Sequence, residues 1–245
     1  MPCGYRVEAI HDVEQLYAGA MSVADRIQIV GRSSAQQIAD GLMDMILEGE
    51  LKPGERIREL VIAEQLGISR NTVREAVRLL QGTGLVRYVF NRGLAVWNPS
   101  DEEVLDIYRA RLHLETAAAA SVGYDTDLTP LTAALDALKV AMLTEDPRTI
   151  VEKDLDIHRA IVGLMNSPRL NKFYDELLGD LRYFLLILSL DHHEYESGST
   201  LEEEHQRIVT AFASRDPELA RTTIAGIITE NRDEVRKILA IRTAG

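Results

Sequence analysis

Residues 59–93, ELVIAEQLGISRNTVREAVRLLQGTGLVRYVFNRG, decide the fold of the N-terminal part of the chain. Apolar residues recur at helical spacing on both sides of Gly67, a residue type that suits the left-handed position after a helix. Ser69 then occupies an N-cap position in front of the second periodic run. The apolar positions are Ile62, Ala63 and Leu66 before the glycine, and Val73, Ala76, Val77 and Leu80 after it. The pattern predicts two short helices joined by a tight turn.

The second of these helices has a polar face opposite its apolar one. That face carries Arg70, Asn71, Thr72, Arg74 and Arg78. Arginine can donate two hydrogen bonds to guanine or to phosphate, while asparagine and threonine reach adenine or backbone oxygens. We therefore predict that Arg70, Thr72 and Arg74 position or read an operator in double-stranded DNA, with the cap Ser69 near a phosphate. The alternative is that the arginines, Arg78 included, only solvate a helix face.

A hairpin follows the two helices. Alternating residues predict strands over 85–89 and 94–97, around the turn Phe90-Asn91-Arg92-Gly93. Such a wing would carry Arg92 and Gly93 toward the minor groove of DNA. Upstream, Arg56-Ile57 follows a turn and predicts a short strand that pairs with the hairpin. The prediction is a winged helix-turn-helix DNA-binding domain with a small β wing over residues 34–98.

This N-terminal region resembles the DNA-binding domain of the GntR family of bacterial transcription regulators. The motifs that carry the resemblance are Pro53-Gly54, Leu66-Gly67-Ile68-Ser69-Arg70, Val73-Arg74-Glu75-Ala76 and Gly84-Leu85-Val86. Together they are far more specific than any one of them alone. The resemblance implies a regulator that binds an operator.

The C-terminal region, residues 99–245, shows only helical patterning. Ser100 with Glu103 forms a capping-box pair, and the helix that it opens is predicted to run to about Tyr124. Later helices begin at X-Pro pairs, where proline fits the first helical position and the residue before it caps the helix. These pairs are Thr129-Pro130, Asp146-Pro147, Ser167-Pro168 and Asp216-Pro217. The pattern predicts an all-α bundle.

This region resembles the FCD domain, the ligand-sensing domain of one large branch of the GntR family. The matching motifs are Arg111-Leu112-His113-Leu114-Glu115, Asp154-Leu155-Asp156-Ile157-His158, Asn166-Ser167-Pro168-Arg169-Leu170 and Glu204-His205-Gln206-Arg207-Ile208-Val209. Many FCD domains hold a divalent metal with one aspartate and three histidines, and the metal helps to bind a small carboxylate effector. The resemblance implies Asp154, His158 and His205 as ligands and Arg111 as an effector-binding residue.

The residues themselves support part of this metal site. Asp154 and His158 are four residues apart and so share one helix face, while His205 comes from another helix. The position of the family's last histidine is Ile227, which cannot ligate a metal. Three protein ligands remain a workable site for zinc or nickel. The alternatives are a hydrogen-bonded Asp–His pair in a polar pocket and, for Arg111, an internal salt bridge with Glu115.

Composition is compatible with a two-domain DNA-binding protein. The net charge is -12, but residues 34–98 hold 8 basic and 8 acidic side chains, whereas residues 99–245 hold 16 and 27. Within 69–92 there are five arginines and Glu75 as the one acid, so basic charge is concentrated on the predicted DNA-binding face. One cysteine excludes intrachain disulfides, and no apolar run is long enough to span a membrane. We expect a cytoplasmic protein with a partly ordered N-terminal arm over residues 1–33.

Two classes of function fit these features. The first is a dimeric, ligand-responsive transcription regulator, which is not an enzyme and has a carboxylate effector and a divalent metal. The second is a metal-dependent enzyme fused to a DNA-binding domain, because an Asp/His/His site with open positions can activate water. A third interpretation keeps the regulator without the metal and places a larger apolar ligand in the pocket.

Overall fold

The fold is described from a computed structural model, which covers residues 33–47, 50–195 and 200–244. Almost all of the arm expected over residues 1–33 lies outside the described residues. Within those ranges the chain forms nine helices and one two-stranded sheet. The helices α1 to α3 and the sheet come first, and α4 to α9 follow. In the described part of the chain, no helix combines the length and the apolar character that a membrane span requires.

The N-terminal elements form a winged helix-turn-helix. The side chains on the apolar side of α3, Val77 and Leu80 among them, are fully buried, and each contributes about 1.5–3 kcal/mol through burial. Gly67 adopts the expected left-handed conformation with φ 65°. The Ser69 hydroxyl accepts from the Thr72 amide at 3.1 Å. The elements are α1 (Ser34–Leu47), α2 (Glu59–Leu66), α3 (Arg70–Gly82), β1 (Val86–Val89) and β2 (Gly93–Val96).

The wing is an antiparallel hairpin in which Val86 pairs with Val96 and Val89 pairs with Gly93. The first strand begins one residue later than predicted, and the second lies one residue earlier than predicted. One further hydrogen bond, from the Trp97 amide to the Leu85 carbonyl at 2.8 Å, extends the ladder beyond them. The short strand expected at Arg56-Ile57 is present as a single bridge between Arg56 and Ala95.

The C-terminal region is the expected helical bundle. Its longest buried run is residues 183–189 of α7, which are covered on all sides by neighbouring helices. The strongest packing within the bundle joins α4 with α9, α5 with α6, and α6 with α7. The elements are α4 (Asp101–Ala120), α5 (Thr129–Met142), α6 (Pro147–Gly163), α7 (Pro168–Asp191), α8 (Leu201–Ala213) and α9 (Pro217–Ala244).

Most helix starts agree with the sequence. Ser100 and Glu103 form a complete capping box, and the side chains of Asp146 and Ser167 accept from the expected backbone amides. Thr129 was wrongly predicted as a cap: it is the first helical residue, and its amide donates to the Asp127 carboxylate at 2.9 Å. The helix opened by Ser100 ends at Ala120, short of Tyr124, because the Ser121 hydroxyl donates back to the Ala118 carbonyl at 2.7 Å.

The winged helix packs directly against the bundle. Trp97 stacks on Phe184 of α7 with ring centroids 5.1 Å apart, and the Arg87 guanidinium lies 3.5 Å above the Trp97 ring. Arg87 also forms an ion pair with Asp180 of α7 at 2.5 Å. On the other side of the contact, Arg148 of α6 donates to the backbone carbonyl of Asp40 at 3.1 Å. These contacts connect the wing and α1 to the interior of the bundle.

Gly84 marks the closest approach between the two parts. Its φ is +79°, and a Cβ atom added there would lie 2.5 Å from the Gly179 carbonyl oxygen of α7. Gly84→Ala is expected to lower the free energy of unfolding by about 2–4 kcal/mol. The strain of an alanine at positive φ adds to the cost of overpacking its methyl group against α7. Gly67→Ala is the matched control, because its φ is also positive but open space surrounds the new methyl group. Thermal denaturation of both variants tests this prediction. If both lose the same stability, the close approach at Gly84 adds nothing to the cost of the substitution.

Candidate nucleic-acid interface and candidate metal centre

The arginines predicted to read DNA line one surface cleft. Arg70, Arg74 and Arg78 of α3 lie on one wall, and Gly93 of the wing lies on the other. We call this feature the arginine cleft; its lining also includes Arg56, Arg58 and Tyr88. Arg92 is exposed at the tip of the wing, outside the cleft lining. The arrangement places several guanidinium groups where a single polyanion can contact all of them.

Local hydrogen bonds hold part of this surface in place. The Ser69 and Thr72 hydroxyls lie 2.8 Å apart, and Arg74 Nη2 donates to Asn71 Oδ1 at 2.9 Å. Arg70 Nε lies 3.7 Å from the Glu59 carboxylate at the start of α2. These are exposed, weak contacts, so phosphate or base acceptors can replace them at little cost.

Sequence reasoning missed Arg56 and Arg58 as members of this cleft. Arg56 was assigned only to a short strand next to the wing, and Arg58 was given no role. The available signal was their alternation around Ile57, which is buried at 5% exposure. Because neighbouring residues in an extended segment point to opposite faces, a buried Ile57 turns both arginines outward.

The three predicted metal ligands meet inside the bundle. Asp154 and His158 lie one turn apart on α6, His205 lies on α8, and all three are buried. One potential ligand atom from each residue lies within 4.8 Å of the other two. Asp154 Oδ1 is 2.7 Å from His205 Nε2 and 3.2 Å from His158 Nε2. We call this group the Asp-His-His cluster.

Hydrogen bonds fix which histidine nitrogens face the centre. His205 Nδ1 donates to the Leu201 carbonyl at 2.9 Å, since a carbonyl can only accept. His158 Nε2 accepts from Arg111 Nη2 at 2.6 Å, so its Nδ1 carries the hydrogen and donates to Glu115 at 2.7 Å. Metal-binding histidines are commonly anchored in this way through the nitrogen that does not bind the metal. Both Nε2 atoms therefore face the Asp154 carboxylate.

That geometry fits a cation. His205 Nε2 and Asp154 Oδ1, 2.7 Å apart, need either a proton or a positive ion between them, and a metal there would take the His158 Nε2 lone pair from Arg111 Nη2. Burial raises the pKa of Asp154, but contacts with His205 and His158 outweigh burial and hold it well below the ordinary value, so this carboxylate is ionised. Ile227, which the family resemblance assigns to the fourth ligand position, is buried at 5% exposure and offers no ligand atom. The donor set is two nitrogens and one oxygen, which suits zinc or nickel.

Arg111 is fully buried and belongs to a network that the sequence showed only in part. Its Nε donates to Glu115 Oε1 at 2.8 Å, which is the salt bridge considered as an alternative. Tyr174 of α7 donates to the same oxygen at 2.5 Å. Burial alone would raise the pKa of Glu115, but its contacts with His158 and Arg111 outweigh burial and bring it to about 2. Sequence reasoning gave Glu115 no role at the cluster and missed Tyr174.

Arg111 also keeps an unused donor. Among the described residues, its Nη1 has no hydrogen-bond acceptor, and the buried Tyr108 hydroxyl is likewise unpaired. The Arg111 guanidinium carbon lies 5.9 Å from the Tyr108 ring centroid. An unpaired buried donor costs about 1–3 kcal/mol, so an anion that accepted from Arg111 would recover that free energy.

Comparisons with known proteins identify the family of both parts of the chain. The sequence model of the FCD domain matches residues 106–230, and the model described as "Bacterial regulatory proteins, gntR family" matches residues 34–96. The HTH-type transcriptional regulator YdhC of Bacillus subtilis is 29% identical over 210 residues, which are 83% of this chain and 91% of that protein. The "Probable D-xylose utilization operon transcriptional repressor" of Paenarthrobacter nicotinovorans is 28% identical over 188 residues, 76% of this chain and 81% of that protein.

A solved structure shows the same fold. The crystal structure of a GntR transcriptional regulator from Rhodococcus sp. RHA1 superimposes with a TM-score of 0.61 at 26% identity, covering 84% of this chain and 99% of that one. The relatives are named as transcriptional regulators, which favours a regulator over the enzyme considered above. This chain therefore belongs to the GntR family of bacterial regulatory proteins, in the branch whose C-terminal region is an FCD domain.

Proposed function

We propose that this protein is a ligand-responsive, homodimeric regulator in the cytoplasm, with a DNA-binding domain over residues 34–98 and an effector-binding domain over 99–245. The observation that carries the proposal is that the chain combines the exposed arginine cleft with the buried Asp-His-His cluster. The first suits a DNA operator. The second suits a divalent metal that binds a small carboxylate.

In the DNA-binding part, we propose that Arg70, Thr72 and Arg74 position or read the operator. Arg78 supports them with a phosphate contact, and Ser69 places the N-terminus of α3 near the DNA backbone. Arg92 and Gly93 position the wing against the DNA. Two copies related by a two-fold axis would bind two half-sites, which gives an affinity that falls steeply with salt concentration.

Arg74→Ala is expected to weaken operator binding by about 1–3 kcal/mol if the guanidinium reads a base bidentately. The probe is a duplex that the wild-type protein selects from a random-sequence library. Affinity is measured by fluorescence anisotropy at several salt concentrations. Arg109→Ala is the control, since Arg109 is an exposed arginine of α4 whose ion-pair partner among the described residues is Asp106 of its own helix. If Arg70→Ala and Arg74→Ala both bind like the control, the assignment to α3 is wrong.

In the bundle, we propose that Asp154, His158 and His205 hold zinc or nickel, with Ile227 leaving room for water or effector at the remaining positions. The metal would supply positive charge for a carboxylate. Metal binding at His158 Nε2 would release Arg111 Nη2, so Arg111 would bind the same anion through Nη1 and Nη2 while its Nε stays with Glu115. The salt bridge and the effector contact are therefore compatible, because they use different atoms of one guanidinium.

Ile227 also supports a second candidate, a regulator of the same kind without a metal. In that case His205 bridges the Leu201 carbonyl and Asp154 through hydrogen bonds at its two ring nitrogens. The pocket would then accept a larger apolar ligand next to the unpaired Tyr108 hydroxyl.

Native mass spectrometry of the protein purified without chelators separates these candidates. We expect the mass of a dimer with one metal ion and one small acid per chain. A dimer that carries an apolar ligand and no metal would support the second candidate, and a monomer that binds neither would contradict both.

A further inference from the structure

The tip of the wing exposes an unusual amount of apolar surface. Phe90 is 81% exposed, Tyr88 is 70% exposed and Val89 is 39% exposed. These three residues are consecutive in the chain. Because each exposed apolar side chain forgoes the stabilisation that burial would give, a contiguous group of them indicates a surface that is covered by a partner.

The backbone holds this group in a fixed position. The turn 90–92 closes the Val89–Gly93 pair, and the Arg92 amide donates to the Val89 carbonyl at 3.0 Å. Asn91 and Gly93 adopt left-handed conformations with φ of 61° and 78°, which suit a tight hairpin turn. At its base the hairpin is anchored by the Arg56–Ala95 bridge. Phe90 is therefore presented at the tip of an ordered hairpin.

The surroundings identify the partner as DNA. Tyr88 lines the arginine cleft together with Arg70, Arg74 and Arg78, so the exposed aromatic surface continues the DNA-binding surface. Arg92 lies two residues from Phe90 and adds a further cation. The neighbouring residue Arg87 is turned the other way, toward Asp180 and Trp97, so that side of β1 is covered by the bundle. An apolar tip among exposed cations suits the minor groove, where aromatic side chains can enter between base pairs.

We propose that Phe90 is a wedge that enters the minor groove at the edge of each half-site and partly unstacks one base step. Tyr88 covers the adjacent sugar-phosphate backbone, and Arg92 contacts phosphate. Since pyrimidine–purine steps unstack most easily, the wedge favours operators that carry such a step at this position, without a hydrogen bond to any base. The proposal rests on the DNA-binding role proposed for α3. It adds a way to select operators by how easily their base steps are unstacked.

The test uses duplexes selected by the wild-type protein from a random-sequence library, with 2-aminopurine placed at successive positions beyond each half-site. Wild type is expected to raise the fluorescence at one step, because unstacking relieves quenching. Phe90→Ala is expected to abolish this rise and to weaken binding about 10-fold, with an unchanged dependence on salt, since no phosphate contact is lost. Phe90→Trp should retain the rise. Arg92→Ala should keep the rise and reduce the salt dependence.

Phe173→Ala is the matched control, because Phe173 is an exposed phenylalanine of α7 at 52% exposure. It should leave affinity and fluorescence unchanged. A Phe90→Ala protein that retains the fluorescence rise would overturn the wedge, whether or not its affinity falls. Sedimentation of free Phe90→Ala protein provides a second check, since a loss of the dimer would assign Phe90 to a protein contact. The Arg74→Ala measurement is separate, so failure of the wedge is distinguishable from failure of the DNA-binding role of α3.

Discussion

Replacing Arg111 by methionine is expected to lower the free energy of unfolding by about 3–5 kcal/mol, the largest effect on stability that we expect from one substitution. The change leaves Glu115 ionised and fully buried without its cation. It also removes the donor to His158 Nε2. For a chain of this size the midpoint of thermal unfolding should fall by about 6–20 °C.

Arg109→Met is the control for this experiment. Arg109 lies on the exposed side of the same helix and forms an exposed ion pair with Asp106, so its loss should change the midpoint little. The double variant Arg111→Met/Glu115→Gln should recover a substantial part of the loss, because it removes both charges. If the double variant is as unstable as Arg111→Met, the buried charge is not the cause of the destabilisation.

His205→Ala is expected to abolish stoichiometric metal binding. Loss of an outer-shell partner typically weakens metal affinity about 10–100-fold, and the loss of one of only three protein ligands should exceed that range. The measurement is zinc and nickel titration by calorimetry together with metal analysis of the purified protein. His113→Ala is the control, since His113 lies on the exposed side of α4. Operator binding by the free protein should remain largely intact in both variants.

Ile227→His gives the complementary result. If this position corresponds to the fourth ligand of the family, the new imidazole should tighten metal binding relative to wild type. A wild-type protein without metal, together with an Ile227→His protein that gains none, would contradict the metal site. If the wild-type protein binds metal and the His205→Ala variant binds it with equal affinity, the metal site lies elsewhere in the chain.

The parts of the fold that depend on local sequence were predictable. Gly67, Ser69 and the apolar spacing behind them are sufficient to define the helix-turn-helix, because each acts within a few residues along the chain. The capping box at Ser100 and the caps Asp146 and Ser167 are local in the same sense. Thr129 was assigned wrongly because the Asp127 carboxylate, two residues upstream, accepts from the Thr129 amide, so the helix already begins at Thr129.

The buried network depends on contacts that sequence spacing does not reveal. Glu115 meets His158 and Tyr174 across 43 and 59 residues. The sequence placed Arg111 beside Glu115, because the two share a helix face. It could not show that Glu115 also orients His158, since that depends on how α4 packs on α6. The stacking of Trp97 on Phe184 could not be predicted either, because it depends on how the wing packs on α7.

In the proposed dimer, the contact between the wing and α7 would set the spacing at which DNA is bound. Arg87, Trp97 and the close approach at Gly84 join each DNA-binding surface to its own bundle. Because these contacts hold each DNA-binding part on its own bundle, the distance between the two surfaces of the proposed dimer would follow from how the two bundles are arranged. Adding one base pair between half-sites shifts one of them by about 3.4 Å and rotates it by about 35° around the helix axis. Operators of this protein should therefore share one spacer length even where their half-site sequences differ.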